Sequence, residues 1–320
     1  MRAGTHALSL LATPLNVYVL LALAEEPRSL GELGREVGSP PQTTMRGHLR
    51  ALAEIGVVTK RRRNDFPGSL DYELGPPGRD LLTVIEVLRA WLAAAPEEPL
   101  ELGTIAAKSS IKALIEGWST SMLRALAAKP LSLTELDNLL SRLNYPSLER
   151  RLAAMRFAGQ VEAMPSRGRG TPYAVTGWLR RAVAPLAAAA QWERIHLRGK
   201  AAPITDRDAE AALLLAVPLL KLPAELSGCC RLAVEIPAAG ERRVAGVLVE
   251  VEEGRVASCA SRLRGSATAW AVGSASTWLR ALLKRETSEL EIGGDGALAD
   301  ALVRGMHDEL LGLGKARSLP

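Results

Sequence analysis

Cysteine, histidine and aromatic residues are scarce in this 320-residue chain, which has three cysteines, four histidines and 4% aromatic residues. So few cysteines argue against a disulfide-linked secreted protein. His6, His48, His196 and His307 are scattered and form no metal-ligand spacing with the cysteines. No Ser/His/Asp set or pair of carboxylates stands in a catalytic pattern. We therefore predict a protein that is not an enzyme and that holds no metal or cofactor.

Long apolar runs are also few. Residues 7–24 follow Arg2 and look like a signal peptide. Residues 111–127 form an equivalent internal run that contains Lys112 and Glu116, so we expect each run to be a core helix. No other segment reaches the roughly 18 unbroken apolar residues of a membrane helix. We expect a cytoplasmic protein that does not enter the membrane.

The chain repeats itself. Residues 20–58 align with residues 123–161 without a gap, and 13 of the 39 aligned positions are identical. Such a repeat marks a duplicated structural unit. The predicted domains are a first unit over residues 1–95, a linker over residues 96–104, a second unit over residues 105–199 and a C-terminal domain over residues 200–320.

The sequence pattern of each copy predicts three helices, then a β-hairpin and then a last helix. The pairs Ser29/Glu32 and Ser132/Glu135 have the capping-box spacing of a second helix. Apolar residues at helical spacing follow, and a glycine ends the third helix; these residues are Met45, Leu49, Leu52 and Gly56 in the first copy and Leu148, Leu152, Met155 and Gly159 in the second. The predicted strands are 57–62 and 70–74 in the first copy and 161–164 and 172–175 in the second. The last helix runs to Trp91 or Trp192, which completes the order of a winged helix-turn-helix.

These residues resemble the HxlR-type winged-helix transcriptional regulators. The similarity is carried in the second copy by Gly117-Trp118, residues 152–159, residues 172–176 and Trp192, and in the first by residues 49–52, Gly56, residues 72–74, Gly78-Arg79 and Trp91. The first copy departs from the pattern at Thr13-Pro14-Leu15. Neither copy contains a cysteine, so the thiol sensing of some relatives has no basis in these units. The resemblance implies a nucleoid-associated protein that binds double-stranded DNA.

A recognition helix needs a buried stripe and an outward face that enters the major groove, and a wing can contact phosphates or the minor groove. The predicted DNA-binding residues of the first unit are Thr43, Thr44, Arg46 and Arg50 on the helix and Arg61, Arg62 and Arg63 on the wing. Those of the second unit are Ser147, Arg150 and Arg151 on the helix and Arg167 and Arg169 on the wing. The alternative is an ordinary solvated surface.

Positive charge is concentrated in the middle of the chain. Residues 101–200 carry 15 Lys/Arg against 7 Asp/Glu, whereas residues 1–100 carry 11 against 12 and residues 201–320 carry 14 against 16. This excess favours an anionic partner at the second unit, although an arginine-rich codon usage would also produce it.

HxlR-type relatives usually pair as homodimers. Two copies in one chain therefore predict an intrachain pseudo-dimer, either as a monomer or within a homodimer. The outward faces differ, since Arg46 corresponds to Glu149 and Gly47 to Arg150. We expect an asymmetric DNA site whose unlike half-sites lie about one helical turn apart.

The pattern changes at Pro203, and the remainder predicts an α+β domain, so that the whole chain belongs to the α+β class. Its predicted elements are a helix over 206–222, strands over 231–236, 244–252, 255–262 and about 267–272, a helix over 274–284, a strand over 288–292 and a helix over 297–313. Trp270, the 273–283 helix and residues 290–295 resemble the sterol carrier protein type 2 fold. That resemblance implies an apolar ligand pocket at Trp270, Trp278, Leu282, Leu298, Leu302 and Met306. The alternative is that these residues fill the core, as we also expect of Cys229, Cys230 and Cys259.

The favoured interpretation is a sequence-specific DNA-binding transcriptional regulator that uses both winged helices, with a C-terminal domain for apolar ligand sensing or oligomerisation. One alternative is a protein-interaction scaffold with degenerate winged helices, since Glu32, Glu36 and Glu54 lie near the first helix-turn-helix. Another is a lipid carrier.

Overall fold

The computed structural model describes residues 2–62, 70–119, 121–140, 144–166, 170–237, 242–261 and 263–312. The chain has the predicted α+β fold, with a helix-turn-helix domain at its N-terminus. Two predicted wing-tip groups, Arg63 and the pair Arg167 and Arg169, lie outside the described residues.

The first unit spans residues 5–93. Its elements are α1 (Thr5–Leu11), α2 (Pro14–Glu25), β1 (Arg28–Ser29), α3 (Leu30–Glu36), α4 (Gln42–Glu54), β2 (Val58–Arg62), β3 (Leu70–Leu74) and α5 (Pro76–Ala93). The strands form an antiparallel sheet in the order β1-β3-β2, with Arg28 opposite Tyr72 and Val58 opposite Leu74. The sheet therefore ties the hairpin to the start of α3.

The second unit spans residues 105–196. Its elements are α6 (Ile105–Ser119), α7 (Met122–Ala128), β4 (Leu131–Ser132), α8 (Leu133–Leu139), α9 (Tyr145–Phe157), β5 (Val161–Ala163), β6 (Pro172–Val175), α10 (Gly177–Arg181) and α11 (Val183–His196). The strand order is β4-β6-β5, with Leu131 opposite Tyr173 and Val161 opposite Val175. Apart from the additional short helix α10, the element order and strand registers of the first unit recur.

The prediction of one unbroken core helix at the start of each unit is wrong. In the first unit α1 and α2 meet at 83°. Pro14 is the first residue of α2, a position where its missing N–H costs nothing but where it cannot continue a preceding helix. In the second unit Ser121 adopts a left-handed conformation, with φ of 63°, immediately before α7.

Within the described residues no single helix has the length and apolar content to cross a bilayer, and the bent pair α1 and α2 meets that test only when both helices are counted together.

The signals predicted for the start of the second helix and for the end of the third helix of each copy are confirmed. Ser29 and Ser132 each accept a hydrogen bond from the backbone of the glutamate three residues on, and that glutamate accepts one from the serine backbone. Gly56 and Gly159 follow α4 and α9 with φ of 72° and 69°, the left-handed conformation in which glycine carries no steric penalty. The serine caps therefore fix the start of α3 and α8, and the glycines allow the chain to turn after α4 and α9.

The C-terminal unit begins at α12 (Asp206–Ala216) and a 3-10 turn (Val217–Leu219). Its remaining elements are β7 (Gly228–Pro237), β8 (Arg242–Glu252), β9 (Arg255–Ala260), β10 (Ala269–Ser274), α13 (Ala275–Lys284), β11 (Glu291–Gly294) and α14 (Gly296–Leu311). The sheet order is β11-β10-β7-β8-β9, in which β10 runs parallel to β7 and the other pairs are antiparallel. The predicted helix over 206–222 is too long, because Pro218 lies in the 3-10 turn that ends it. The last predicted strand starts later, at Glu291.

The two winged units pack against each other through corresponding helices. α1 packs on α6 and α11, and α5 packs on α11. The buried Glu193 of α11 accepts hydrogen bonds from the backbone N–H groups of Gly4, His6 and Ala7 at 2.8–2.9 Å. The N-terminus of a helix carries partial positive charge, so this carboxylate of the second unit stabilises the N-terminus of α1 in the first unit.

Candidate nucleic-acid interface

The helix α4 presents a polar face to solvent. Its apolar stripe, Met45, Leu49 and Leu52, is buried in the first unit. The predicted contact residues on the opposite side, Thr43, Thr44, Arg46 and Arg50, are all exposed, as is Gly47. Arg46 makes no hydrogen bond or ion pair with any described residue. Arg50 is paired with Glu54 at 3.2 Å, but both side chains are solvated, so the pair opens at little cost.

The wing strand β2 lies beside this face. Its outer residues Lys60, Arg61 and Arg62 are exposed, and the Lys60 ammonium lies 5.9 Å from the centre of the Tyr72 ring. A shallow groove between α4 and the wing is lined by Arg46, Ala53, Arg50, Glu54, Lys60 and Tyr72. We call these residues the α4 groove. It collects cations from a helix and a strand on one open surface, the arrangement that suits a nucleic-acid backbone.

The corresponding helix of the second unit, α9, is built differently. Its stripe of Leu148, Leu152 and Met155 is buried, and Arg150 is exposed. Ser147 is half-buried at the start of the helix, where its backbone N–H donates to the Asn144 side chain at 3.1 Å. Arg151 is also half-buried and donates to the Glu116 carbonyl at 3.2 Å. Of the three predicted helix contacts, Arg150 is therefore the one that is exposed.

Apolar side chains replace polar ones on the surface of the second unit. Tyr145, Met164 and Phe157 are exposed, and Phe157 is the most exposed of them at 89%. In the repeat alignment Phe157 corresponds to Glu54 and Met164 to Arg61. Sequence reasoning missed this difference, although the substitution of phenylalanine for glutamate at an outward position was visible.

Part of the positive charge in residues 101–200 has a structural role. Arg124 pairs with Glu210 at 2.6 Å, and Arg181 pairs with Glu309. Arg180 donates to the Leu214 carbonyl at 2.9 Å, and Arg194 donates to the Ser276 hydroxyl at 2.6 Å. These four arginines bind the C-terminal unit to the second winged unit, and the charges of Arg124 and Arg181 are compensated by the two glutamates. Arg194 remains exposed.

Tryptophans form reciprocal hydrogen bonds between the winged units. The Trp91 indole donates to the Trp178 carbonyl at 3.0 Å, and the Trp192 indole donates to the Pro77 carbonyl at 2.8 Å. In the alignment of the two copies after the hairpin, Trp91 corresponds to Trp192 and Pro77 to Trp178, since 192 − 91 and 178 − 77 both equal 101. In each unit, the indole of the equivalent tryptophan donates a hydrogen bond to the equivalent backbone carbonyl of the other unit. Two partners in an isologous interface are related in the same way.

The six predicted ligand-binding residues do not come together in one pocket. Trp278 and Leu282 line an apolar cavity of about 80 Å³. Leu298, Leu302 and Met306 are fully buried in the core of the C-terminal unit. Trp270 on β10 is 38% exposed, and its ring lies against Gly293, where a β-carbon would approach the ring to 2.2 Å.

The cysteines are free thiols in the C-terminal unit. Burial raises the pKa of Cys230 and of Cys259 to about 12 in each case. Within the described parts of the chain, no group of three or more His, Cys, Asp or Glu side chains has the geometry to hold a metal ion.

Residues 11–98 match the family model described as HxlR-like helix-turn-helix, so the N-terminal unit is an HxlR-like helix-turn-helix domain. An uncharacterized HTH-type transcriptional regulator of Mycobacterium tuberculosis is 35% identical over 77 residues, 23% of this chain and 48% of the relative, and a relative of the same description from Mycobacterium bovis matches equally. A third, from Halalkalibacterium halodurans, is 28% identical over 87 residues, 27% of this chain and 77% of the relative. The chain spans about half the length of the mycobacterial relatives.

Proposed function

We propose that this protein is a sequence-specific DNA-binding transcriptional regulator. The observation that carries the proposal is the α4 groove, in which Arg46, Arg50 and Lys60 line an exposed surface between a recognition helix and a wing. This groove belongs to the unit that is similar to HxlR-like domains and to relatives named as transcriptional regulators. An exposed arginine that makes no hydrogen bond or ion pair with the described residues, such as Arg46, is suited to bidentate contact with guanine or with phosphate.

The two winged units act together as an intrachain pseudo-dimer. The reciprocal tryptophan hydrogen bonds and the packing of α1 on α6 and of α5 on α11 support this arrangement. The outward residues differ between the units, with Arg46 in one and Glu149 in the other. A single chain then reads two unlike half-sites.

The C-terminal unit senses an apolar ligand or supports oligomerisation. Its five-stranded sheet with a central parallel pair, packed with α13 and α14, supports a relationship to the sterol carrier type. The arginine contacts to α12, α13 and α14 provide a physical route by which this unit affects the second winged unit. Such an effect requires a ligand that binds one arrangement of the units more tightly than another.

The test is fluorescence anisotropy with labelled DNA from upstream of the gene and a scrambled duplex, over a salt series. We expect preference for the upstream DNA and affinity that falls steeply with salt. Arg46→Ala should cost about 1–3 kcal/mol of specific binding, because a bidentate base contact is lost. The matched control is Arg89→Ala on α5, whose exposed side chain pairs with Glu86 and lies outside the α4 groove. Equal losses in both variants would contradict the proposed interface.

A second candidate function is favoured by the exposed apolar residues Tyr145, Phe157 and Met164. On this alternative the second winged unit binds a protein, as in a scaffold, and only charge on the first unit affects DNA. Arg150→Ala distinguishes the two, since it should weaken DNA binding if α9 enters a groove and leave it unchanged otherwise. Phe157→Glu, which installs the residue type of the first unit, should leave specific DNA binding within about twofold if α9 reads DNA through its N-terminal half.

A further inference from the structure

An open polar cleft of about 290 Å³ lies between α1 and α6. Six of the residues that line it form three pairs, which are Ser9 with Lys112, Ala12 with Ile115 and Thr13 with Glu116. The members of each pair are 103 positions apart, as residues 20 and 123 of the repeat are. The cleft is therefore built from the same three positions of both copies, and it lies on the pseudo-twofold axis that relates the winged units. We call it the axis cleft.

The two recognition helices flank the axis cleft. His48 of α4 and Arg151 of α9 are also 103 positions apart. The His48 ring is hydrogen-bonded to the Asn16 side chain at 2.9 Å, and the Asn16 backbone N–H donates to the carbonyl of Thr13 in the cleft at 3.0 Å. Arg151 donates to the carbonyl of Glu116 in the cleft at 3.2 Å. The same position of each recognition helix thus meets the cleft, directly or through one residue.

This position determines which part of a DNA duplex the axis cleft faces. Helices that enter major grooves one helical turn apart leave a minor groove at the midpoint of the DNA face between them. A minor groove is only about 6 Å wide, so phosphates of both strands lie close to that midpoint. Ser9, Lys112 and Glu116 of the cleft are exposed, whereas Ala7 and Leu8 of α1 are buried. In a complex with DNA across both winged units, the axis cleft therefore faces the backbone at the midpoint.

The axis cleft carries a net positive charge. Lys108 also lines it, one turn before Lys112 on α6, so the two lysines lie on the same side of the helix. Lys112 is exposed and Lys108 is half-buried, and neither makes a hydrogen bond or ion pair with any described residue. Glu116 is the acidic residue in the lining, so the cations are in excess by one.

The two lysines are suited to an anion. Like charges one turn apart repel each other, and the half-buried Lys108 ammonium has lost part of its hydration without gaining a carboxylate partner among the described residues. A phosphate beside both lysines offsets these costs. The hydroxyls of Ser9 and Thr13 donate to carbonyls within α1, at 2.6 and 3.5 Å, so the attraction for an anion comes from the lysines.

We infer that the axis cleft binds the DNA backbone, with Lys108 and Lys112 each contacting a phosphate that borders the minor groove between the two half-sites. Phosphate contacts add affinity and fix the position of the protein but carry no sequence information. The first copy has Thr5 and Ser9 where the second has these lysines, so the second unit supplies this contact. The inference rests on the proposed function, because it requires DNA bound across both winged units.

The first experiment measures the salt dependence of DNA binding by fluorescence anisotropy, with the upstream duplex and the scrambled one. The full-length variant combines Lys108→Met and Lys112→Met, which remove the charges but keep the apolar stems. We expect the slope of log affinity against log salt to become shallower by about 1 for each lysine, with equal loss of affinity on both duplexes. Lys112→Met alone, at an exposed position, should give about half of that change and covers the case in which the double variant does not fold.

The matched control is Lys284→Met. Lys284 is an exposed lysine at the end of α13 in the C-terminal unit, so its substitution removes the same charge outside the axis cleft. We expect it to leave the slope unchanged. Arg46→Ala gives the contrasting result, since it should reduce the preference for the upstream duplex, whereas the lysine variants should preserve it.

The second experiment locates the contact on the DNA. Nuclease protection defines the footprint on the upstream duplex, and neutral methylphosphonates then replace the phosphates that border the minor groove at its midpoint. A control duplex carries the same number of methylphosphonates at one end, outside the footprint. We expect the midpoint replacement to weaken binding of the unsubstituted protein but to have little further effect on the double lysine variant, because interacting partners are not additive. The end replacement should affect neither protein.

The inference is overturned if the double variant keeps the slope of the unsubstituted protein. It is also overturned if the lysine and midpoint losses are additive, because the lysines then act only through the general field of the protein. Equal binding to both duplexes contradicts the proposed sequence-specific function, while the slopes on the scrambled duplex still test the lysines. An unchanged slope together with a clear preference for the upstream duplex contradicts this inference alone, and an absence of binding to either duplex contradicts both.

Discussion

At the scale of single residues, the cysteines couple the fold to pH. Burial raises the pKa of Cys230 from the ordinary value of 9.0 to about 12. Burial is also the main cause of the raised pKa of Cys229 beside Glu250, and of Cys259. The native protein thus holds thiol protons that the unfolded chain releases at lower pH.

We predict that this difference destabilises the protein in alkaline solution. Because the folded-state pKa of Cys230 exceeds the unfolded value, its contribution is fully present below pH 9 and is lost as pH rises from 9 towards about 12. The loss approaches about 1.4 kcal/mol per pH unit for one fully buried thiol. Urea unfolding at several pH values should show a shallower alkaline decline for Cys230→Ala than for the unsubstituted protein. Parallel pH profiles would contradict the prediction.

Residue roles were predictable where they follow from local periodicity. The buried stripes Met45/Leu49/Leu52 and Leu148/Leu152/Met155 follow from helical spacing, and the structure confirms them. The contact that holds Arg151 was not predictable, because the Glu116 carbonyl it meets is 35 residues away. Packing likewise separates Trp278 and Leu282 from the core residues Leu298 and Leu302, which helical spacing alone cannot do.

At the scale of elements, the capping boxes set the start of α3 and α8. Their spacing is local, so the sequence predicted both. The break between α1 and α2 also had a local signal, Thr13-Pro14, but the apolar run masked it. The equivalent break before α7 involves Ser121 and no proline, so nothing in the sequence marked it as strongly.

We predict that Ser132→Ala destabilises the protein by about 1 kcal/mol, because an N-cap hydrogen bond to the backbone of α8 is lost. The matched control is Ser109→Ala, an exposed serine inside α6 that bonds to the Ile105 carbonyl, for which we expect a change within about 0.5 kcal/mol. Urea unfolding measures both. An equal effect of the two substitutions would show that the cap does not stabilise α8.

The same substitution should change the titration of Glu135. The backbone N–H of Ser132, and to a smaller extent its hydroxyl, donate hydrogen bonds that hold the pKa of Glu135 below its ordinary value of 4.5. A lowered carboxyl pKa contributes stability above the unfolded value, and that contribution is lost as pH falls through the folded value. Ser132→Ala removes the hydroxyl hydrogen bond but keeps the one from the backbone N–H, so we expect the Glu135 pKa, measured by carboxyl NMR titration, to rise only part of the way towards 4.5. An unchanged pKa would show that the hydroxyl does not contribute to the shift.

At the scale of the whole molecule, long-range contacts determine how the units cooperate. The tryptophan hydrogen bonds join residues 87 and 115 positions apart, and the Arg181–Glu309 pair joins residues 128 positions apart. No periodicity in the sequence reports such contacts. The repeat predicted that two similar units exist, whereas their packing through α1, α6, α5 and α11 is visible only in the folded chain.

A pseudo-dimer with unlike faces has a consequence that a homodimer lacks. If α4 and α9 each read one half-site, Arg46→Ala should remove nuclease protection from one half of the upstream site, and Arg150→Ala from the other half. The two halves should lie about one helical turn, or about 10 base pairs, apart. Sedimentation of the complex should give one chain per short duplex, because both DNA-contacting helices, α4 and α9, belong to one polypeptide. If both variants lose the same half, or if two chains occupy a symmetric footprint, the winged units do not read DNA as a pair within one chain, and the exposed Phe157 surface becomes the better guide to the second unit.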